Sequence, residues 1–204
     1  MYWVVIAKRS LFILQNKADY RKHFSRIRSA LSPTERSLAA EKAAQHLAAH
    51  PLFLKSERIA CYSATDVEMD MKPFMKYIWQ AKKTCYLPVM QEGHILGFAC
   101  YHENDDLHVG QYDILEPTKK ARKIRPEDLE LVLMPLLAFD DKGHRVGAGG
   151  GYYDRTFAFM HGQTLEKPVL IGYGFDVQRV SFIPPDPWDV TLQGVVTESG
   201  VNRW

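Results

Sequence analysis

Short apolar runs return at intervals along this chain, with longer segments between them, and that alternation restricts the fold more than any other feature. The runs lie at residues 58–63, 84–89, 95–101, 129–134, 169–173 and 194–197, and the first has the continuous core Ile59-Ala60-Cys61-Tyr62 of a strand buried on both faces. Between the first two, residues 71–81 carry apolar side chains at helical spacing. Parallel strands need long crossovers, so strands spaced by helical segments predict a three-layer α/β/α domain with a mainly parallel central sheet. The polar stretch at residues 102–128 breaks the rhythm. Its cations Lys119, Lys120, Arg122, Lys123 and Arg125 lack interleaved aromatics, which favours a solvated loop over a nucleic-acid surface.

A helical pair precedes the sheet. Residues 17–30 set Tyr20, Phe24 and Ile27 on one stripe and Lys17, Arg21 and Arg28 on another. Ser32-Pro33-Thr34-Glu35 then reads as a capping box with proline at the first helical position, opening a second helix that runs to about residue 49, before Pro51. Residues 1–14 are apolar but interrupted by Lys8, Arg9 and Ser10, too short and too charged to span a bilayer and without the marks of a signal peptide. An added strand, a crossing helix and an extension from an early start codon all fit them. The expected organisation is an N-terminal extension at residues 1–16 and a single domain at 17–204, for which 46% apolar content supplies one core. With 26 basic and 24 acidic residues the net charge is +2, too small for a general nucleic-acid surface. Cys61, Cys85 and Cys100 show no paired spacing, so buried thiols in a reducing, cytoplasmic setting are expected rather than a zinc site or disulfides.

The segment that carries chemistry follows the strand-like run at residues 131–137. Asp-Lys-Gly at 141–143 should reverse the chain into Arg145, and Gly147-Ala148-Gly149-Gly150-Gly151 then leaves the backbone nearly bare. Such a loop lets N–H groups approach an anion, and a helix starting at about Tyr152 would point its positive end the same way. It is neither the P-loop, since no Gly-Lys-Ser/Thr follows, nor the dinucleotide fingerprint, whose last glycine is replaced by Tyr152. Glycine content alone leaves a phosphate cradle and a plain surface turn evenly matched. Arg145 as a phosphate partner, Asp154 as a carboxylate suited to Mg²⁺, and Tyr152 with Tyr153 as a stacking face favour the cradle.

Met134-Pro135-Leu136-Leu137-Ala138-Phe139-Asp140, followed by Gly143-x-Arg145-x-Gly147-x-Gly149-x-Gly151-Tyr152-Tyr153-Asp154, resembles the signature of 5-formyltetrahydrofolate cyclo-ligases, also called methenyltetrahydrofolate synthetases. The similarity runs from about residue 17 to about residue 197. Lys17-x-x-x-Arg21 before Leu31-Ser32 matches the family's first-helix element, Glu68-Met69-Asp70 its acidic element after the first central strand, and Pro187-Trp188-Asp189 with the Val-Thr ending its C-terminal part. Some members carry basic residues inside the loop where Ala148 and Gly150 stand here. The resemblance implies ATP contacts from Lys17, Arg21, Arg145, Gly147, Ala148, Gly149, Gly150, Gly151, Tyr152 and Tyr153, and a Mg²⁺ site at Asp154 and Asp189. It implies that Glu68 binds the pterin, that Tyr152 or Tyr153 meets the formyl end, and that Arg145 neutralises the transferred phosphoryl group. Gly110 to Pro117 also matches and should help shape the site.

The implied reaction is ATP- and Mg²⁺-dependent closure of 5-formyltetrahydrofolate to 5,10-methenyltetrahydrofolate, with release of ADP and phosphate, through a phosphorylated formyl (iminium phosphate) intermediate. The implied partners are small molecules, the folate with or without a polyglutamate tail, for a monomer that engages neither nucleic acid nor membrane. Two alternatives stand beside it: a phosphate-binding isomerase or CoA-transferase type enzyme on a similar fold, and a non-catalytic folate-binding module.

Overall fold

Helix α1 (Lys17–Ala30) starts where the Asn16 side chain accepts the N–H groups of Ala18 and Asp19, and α2 (Pro33–Ala48) starts on the expected capping box, with the Ser32 and Glu35 side chains each accepting from the other's backbone. The computed structural model describes residues 16–163 and 166–204, so the apolar run at 1–14 lies outside the described residues. Pro51 ends α2 as expected, but it also opens a five-residue helix, α3 (Pro51–Lys55), because a proline without an N–H is at home at the first helical position.

The strands come next: β1 (Arg58–Ala60), then helix α4 (Lys72–Gln80), β2 (Thr84–Gln91), β3 (Ile95–Cys100), β4 (Leu107–Val109), β5 (Leu115–Pro117), β6 (Lys123–Ile124), β7 (Leu131–Pro135), β8 (Ala138–Phe139) and β9 (Arg145–Val146). Helix α5 (Tyr152–Thr156), β10 (Val169–Tyr173), β11 (Gly194–Thr197) and β12 (Gly200–Arg203) complete the described residues. The main sheet runs β12-β11-β10-β7-β1-β2-β3-β6. Its centre, from β11 to β2, is parallel, and its flanks pair antiparallel.

Residues 102–128 were expected to be a solvated loop and are more ordered than that: β4 and β5 form a two-stranded ribbon, and β6 adds to the sheet edge beside Phe98 and Ala99. Strands of two or three residues cannot display a period of two, which is why the sequence hid them. The basic residues Lys119, Lys120, Arg122 and Lys123 are exposed, as expected.

Neighbouring residues of the central strands feed opposite faces. Ile59, Leu133, Ile171 and Val196 pack under α2 and α4, against Ala40, Ala43, Leu47, Phe74 and Ile78. Ala60, Val132, Leu170 and Val195 pack on the other side with Phe98, Phe157 and Leu192. This second layer is thin, built by the short α5 and irregular chain. The expected helical pair therefore divides: α2, with an alanine face that admits close approach, joins the first layer, whereas α1 inserts Tyr20 and Phe24 among Leu137, Ala138, Val146 and Ile183, beyond the carboxyl end of β7. From β1 the chain builds outward to β2 on one side and then returns to β7 on the other. The carboxyl ends of β1 and β7 thus border the crevice that open α/β sheets use for ligands.

The hairpin β8–β9 holds the glycine loop up to this crevice, and Asp140 holds the hairpin. Its fully buried carboxylate accepts the backbone N–H groups of Lys142, His144 and Ile183 and meets the His144 ring at 2.9 Å. Replacing Asp140 by alanine leaves the buried Ile183 N–H unmatched and removes the acceptor that closes the turn at Lys142 and His144, and Asp140→Ala is expected to cost about 3 kcal/mol, read as a lower denaturant midpoint at unchanged m.

Candidate active site

Between β9 and α5 the backbone takes conformations that side chains resist. Gly149 has φ +109° and Gly151 is left-handed at φ 66°, ψ 16°. Arg21, one turn along α1 from Lys17, donates its Nε–H to the Gly147 carbonyl at 3.0 Å and lies under Gly149, so α1 braces the loop from below. Helix α5 has only five residues, and its dipole is accordingly a smaller contributor than the sequence led us to expect. The loop's exposed residues are Ala148, Gly149 and Gly150.

Tyr152 and Tyr153 do not form the shared stacking face expected of them. Consecutive helical residues point about 100° apart. Tyr152 turns outward, its hydroxyl 3.5 Å from Gln111 Oε1 and its ring 5.3 Å from that of His94, which joins the loop to the β4–β5 ribbon. Tyr153 turns inward, where burial raises its hydroxyl well above the usual phenol range and the nearby Glu68 charge adds to the effect, against the opposing pull of Arg145. Tyr153 therefore stays protonated throughout the physiological range.

Of the cations expected to meet phosphate, Lys17 and Arg145 are closed on carboxylates, while Arg21 bonds the Gly147 carbonyl. Lys17 Nζ pairs with Asp186 at 2.8 Å and with Asp189, and Asp189 Oδ2 also accepts the Asp186 N–H at 2.8 Å. Arg145 donates to the Val190 carbonyl and to Asp154 Oδ1, both at 2.7 Å, and the Val190 N–H reaches the same Oδ1 at 3.2 Å. Asp154 and the loop bearing Asp189 are thereby tied together on either side of one peptide. Arg145, only 8% exposed, is the clasp rather than a freely extended side chain.

Glu68 stands at the carboxyl end of β1. Its Oε2 accepts the Thr65 N–H at 3.0 Å within its own turn, and its Oε1 lies 3.5 Å from Arg28 Nη1. The Tyr62 hydroxyl fixes the next residue by donating to the Met69 carbonyl at 2.7 Å. Asp70 accepts the Lys72 N–H at the start of α4, in keeping with a helix-start role. Sequence reasoning named Lys17, Arg21, Glu68, Arg145, Asp154 and Asp189, and all lie about this crevice. It missed Asp186, Tyr62 and the site position of Arg28. For Arg28 a signal was present, since it shares the basic stripe of α1 with Lys17 and Arg21. A cavity of about 490 Å³ bordered by Trp79, Thr84, His102 and Asp105 opens at the opposite end of β2 and shares no side chain with these pairs.

Fold and site define an α/β enzyme class with its ligand crevice at the β1–β7 strand reversal, ringed by paired charges and a glycine loop. The model of the 5-formyltetrahydrofolate cyclo-ligase family matches residues 13–198. The 5-formyltetrahydrofolate cyclo-ligase of Escherichia coli strain K12 is 36% identical over 182 residues, spanning 87% of this chain and 97% of that protein. Its counterpart from Haemophilus influenzae is 30% identical over 181 residues, with 87% and 95% covered. The NMR structure of Aquifex aeolicus 5,10-methenyltetrahydrofolate synthetase superposes with a TM-score of 0.78 at 32% identity, covering 92% of each chain. This chain belongs to the 5-formyltetrahydrofolate cyclo-ligase family and shares its enzyme class. That membership sets aside the isomerase, CoA-transferase and non-catalytic alternatives.

The two glycines at the ends of the loop make a stability test. A Cβ on Gly147 meets nothing within 4 Å, whereas one on Gly151 is added at φ +66° and falls 2.9 Å from Arg155 Nη1. Gly151→Ala is expected to cost about 1 kcal/mol and Gly147→Ala less than about 0.5 kcal/mol, measured by chemical denaturation.

Proposed function

We propose that this enzyme closes 5-formyltetrahydrofolate to 5,10-methenyltetrahydrofolate with ATP and Mg²⁺, using the crevice at the carboxyl ends of β1 and β7. The observation that carries the reading is that two cation–carboxylate pairs, Lys17–Asp189 and Arg145–Asp154, converge beside the glycine loop in a chain of this family. Partly buried charges of both signs next to bare backbone suit a polyphosphate arriving with its own metal, since each partner has a ready exchange.

A formamide oxygen is a poor leaving group. In the proposed sequence it attacks the γ-phosphorus, the bond to the β-phosphate oxygen breaks and ADP leaves. N10 then adds to the activated carbon with loss of its proton, and the C–O bond breaks to release phosphate. The chain contributes position and charge. Glu68 accepts from the N–H edge of the pterin, and Lys17, Arg21 and Arg145 face the phosphates with the loop N–H groups of residues 147–151. Tyr153, protonated and beside Glu68, donates toward the formyl end, while Tyr152 lies on the ribbon side of the loop.

Among the described residues no three His, Cys, Asp or Glu side chains cluster to cage a metal. Asp154 and Asp189 alone fit Mg²⁺, which is commonly held by one or two carboxylates with water and substrate phosphates completing its shell. Bound there, the ion would supply charge neutralisation at the β- and γ-phosphate oxygens. Among the described residues no helix is long and apolar enough to cross a membrane. With all three cysteines free and buried, the reading extends to a cytoplasmic monomer acting on small molecules, with no nucleic-acid partner.

The assay follows methenyltetrahydrofolate absorbance with purified protein, ATP, Mg²⁺ and 5-formyltetrahydrofolate. ATP-dependent product formation is expected, and no product where a known cyclo-ligase turns over would overturn the proposal. In Asp154→Asn, folate binding should persist within about threefold while kcat falls at least about a hundredfold; equal kcat would remove Asp154 from the metal site.

A further inference from the structure

Arg28 is the buried charge on α1 that no phosphate or metal role accounts for. It lies on the same stripe as Lys17 and Arg21, where α1 passes the strand reversal between β1 and β7, and it is nine-tenths buried. Its contacts do not explain it as a structural tie. The Leu136 carbonyl that it approaches at 3.4 Å already receives a much better bond from Gln178 Nε2 at 2.7 Å. Arg28 Nε is buried without a hydrogen-bond partner. A guanidinium kept out of water with one N–H unmatched burdens the fold, and an apolar side chain of similar length would satisfy the same space more cheaply. What Arg28 has is Glu68, at 3.5 Å.

We propose that Arg28 is a positioning residue for the folate subsite, holding Glu68 Oε1 in the crevice while the Thr65 N–H holds Oε2. This rests on the reading of Glu68 as the group that accepts from the pterin. A carboxylate on a long side chain has several rotamers, and recognition of adjacent N–H donors needs one of them. Thr65 restrains Glu68 only from within its own turn, between residues 65 and 68. Arg28 restrains it from a different element, across the crevice, so the orientation of Glu68 is referred to α1 and hence to Lys17 and Arg21. One helix thereby sets the phosphate cations and the pterin acceptor in a fixed mutual geometry. The Tyr62 hydroxyl, donated to the Met69 carbonyl, keeps the backbone under Glu68 from moving away.

The test compares Arg28→Met, Arg28→Lys and Glu68→Gln with the wild-type enzyme, singly and as the double variant Arg28→Met with Glu68→Gln. Arg28→Met is expected to raise KM for 5-formyltetrahydrofolate roughly tenfold, the factor that accompanies loss of a hydrogen bond to a charged group, while KM for ATP stays within about twofold. Its Tm is expected to fall, because Glu68 is left without its cation, while the double variant, which removes both charges, should regain most of the loss. Arg28→Lys should recover part of the folate KM. In the Glu68→Gln background, Arg28→Met should have no further effect on folate KM, because it acts through the carboxylate. An unchanged folate KM in Arg28→Met, equal losses for ATP and folate, or additive effects in the double variant would overturn the inference. Wild-type enzyme that binds no folate would instead overturn the proposed function, so the two failures are distinct.

Discussion

Charges that leave water must be matched, and the crevice at the carboxyl end of the sheet is organised around that requirement. Three cations project from one stripe of α1, and each finds a counterpart on a different part of the chain: Lys17 on Asp186 and Asp189, Arg21 on the Gly147 carbonyl, Arg28 on Glu68. The stripe is held in place by the apolar side of the same helix, where Tyr20 and Phe24 pack on the hairpin β8–β9. An amphipathic helix usually turns its charges to solvent. Here the aromatic side grips one wall of the crevice while the basic side faces the rest, so the packing that stabilises α1 is also what aims its cations.

The elements that a single sequence reveals best are those long enough to display a period. Helices α1 and α2 appear at their expected limits because Asn16, Ser32 and Glu35 provide caps, and the central strands appear because they are apolar on both faces. Strands β4, β5, β6, β8, β9 and β12 were not legible, since runs of two to four residues carry too little pattern. The destination of α1 was hidden too. Its stripes were visible, but whether they met the sheet face or its end depends on which partners folding brings near.

Within the site the same division holds. Residue types survived translation into structure well: Gly149 and Gly151 do occupy conformations that favour glycine, and Asp154 and Asp189 do adjoin one peptide. Pairings did not. Nothing in the order of residues says that Arg145 clasps Asp154 or that Asp186 shares Lys17, because these contacts depend on the three-dimensional meeting of distant segments. Tyr152 and Tyr153 show the reverse error, since adjacency in sequence suggested a common role that helical geometry divides between the loop's outer edge and its interior.

The bond between Lys17 and Asp186 spans 169 positions, and that between Lys17 and Asp189 spans 172. A chain emerging from the ribosome therefore leaves Lys17 without its carboxylates until the segment at 186–190 has followed β10 out of the tunnel, whereas Glu68 and the Gly147 carbonyl become available to Arg28 and Arg21 earlier. That late segment joins the two halves of the crevice through core as well as ion pairs, since Ile183 packs on α1 and Val190 and Leu192 are buried beside the sheet. Partial chains should accordingly hold folded strands and helices without a working site, and competence for ligand is gained late and all at once.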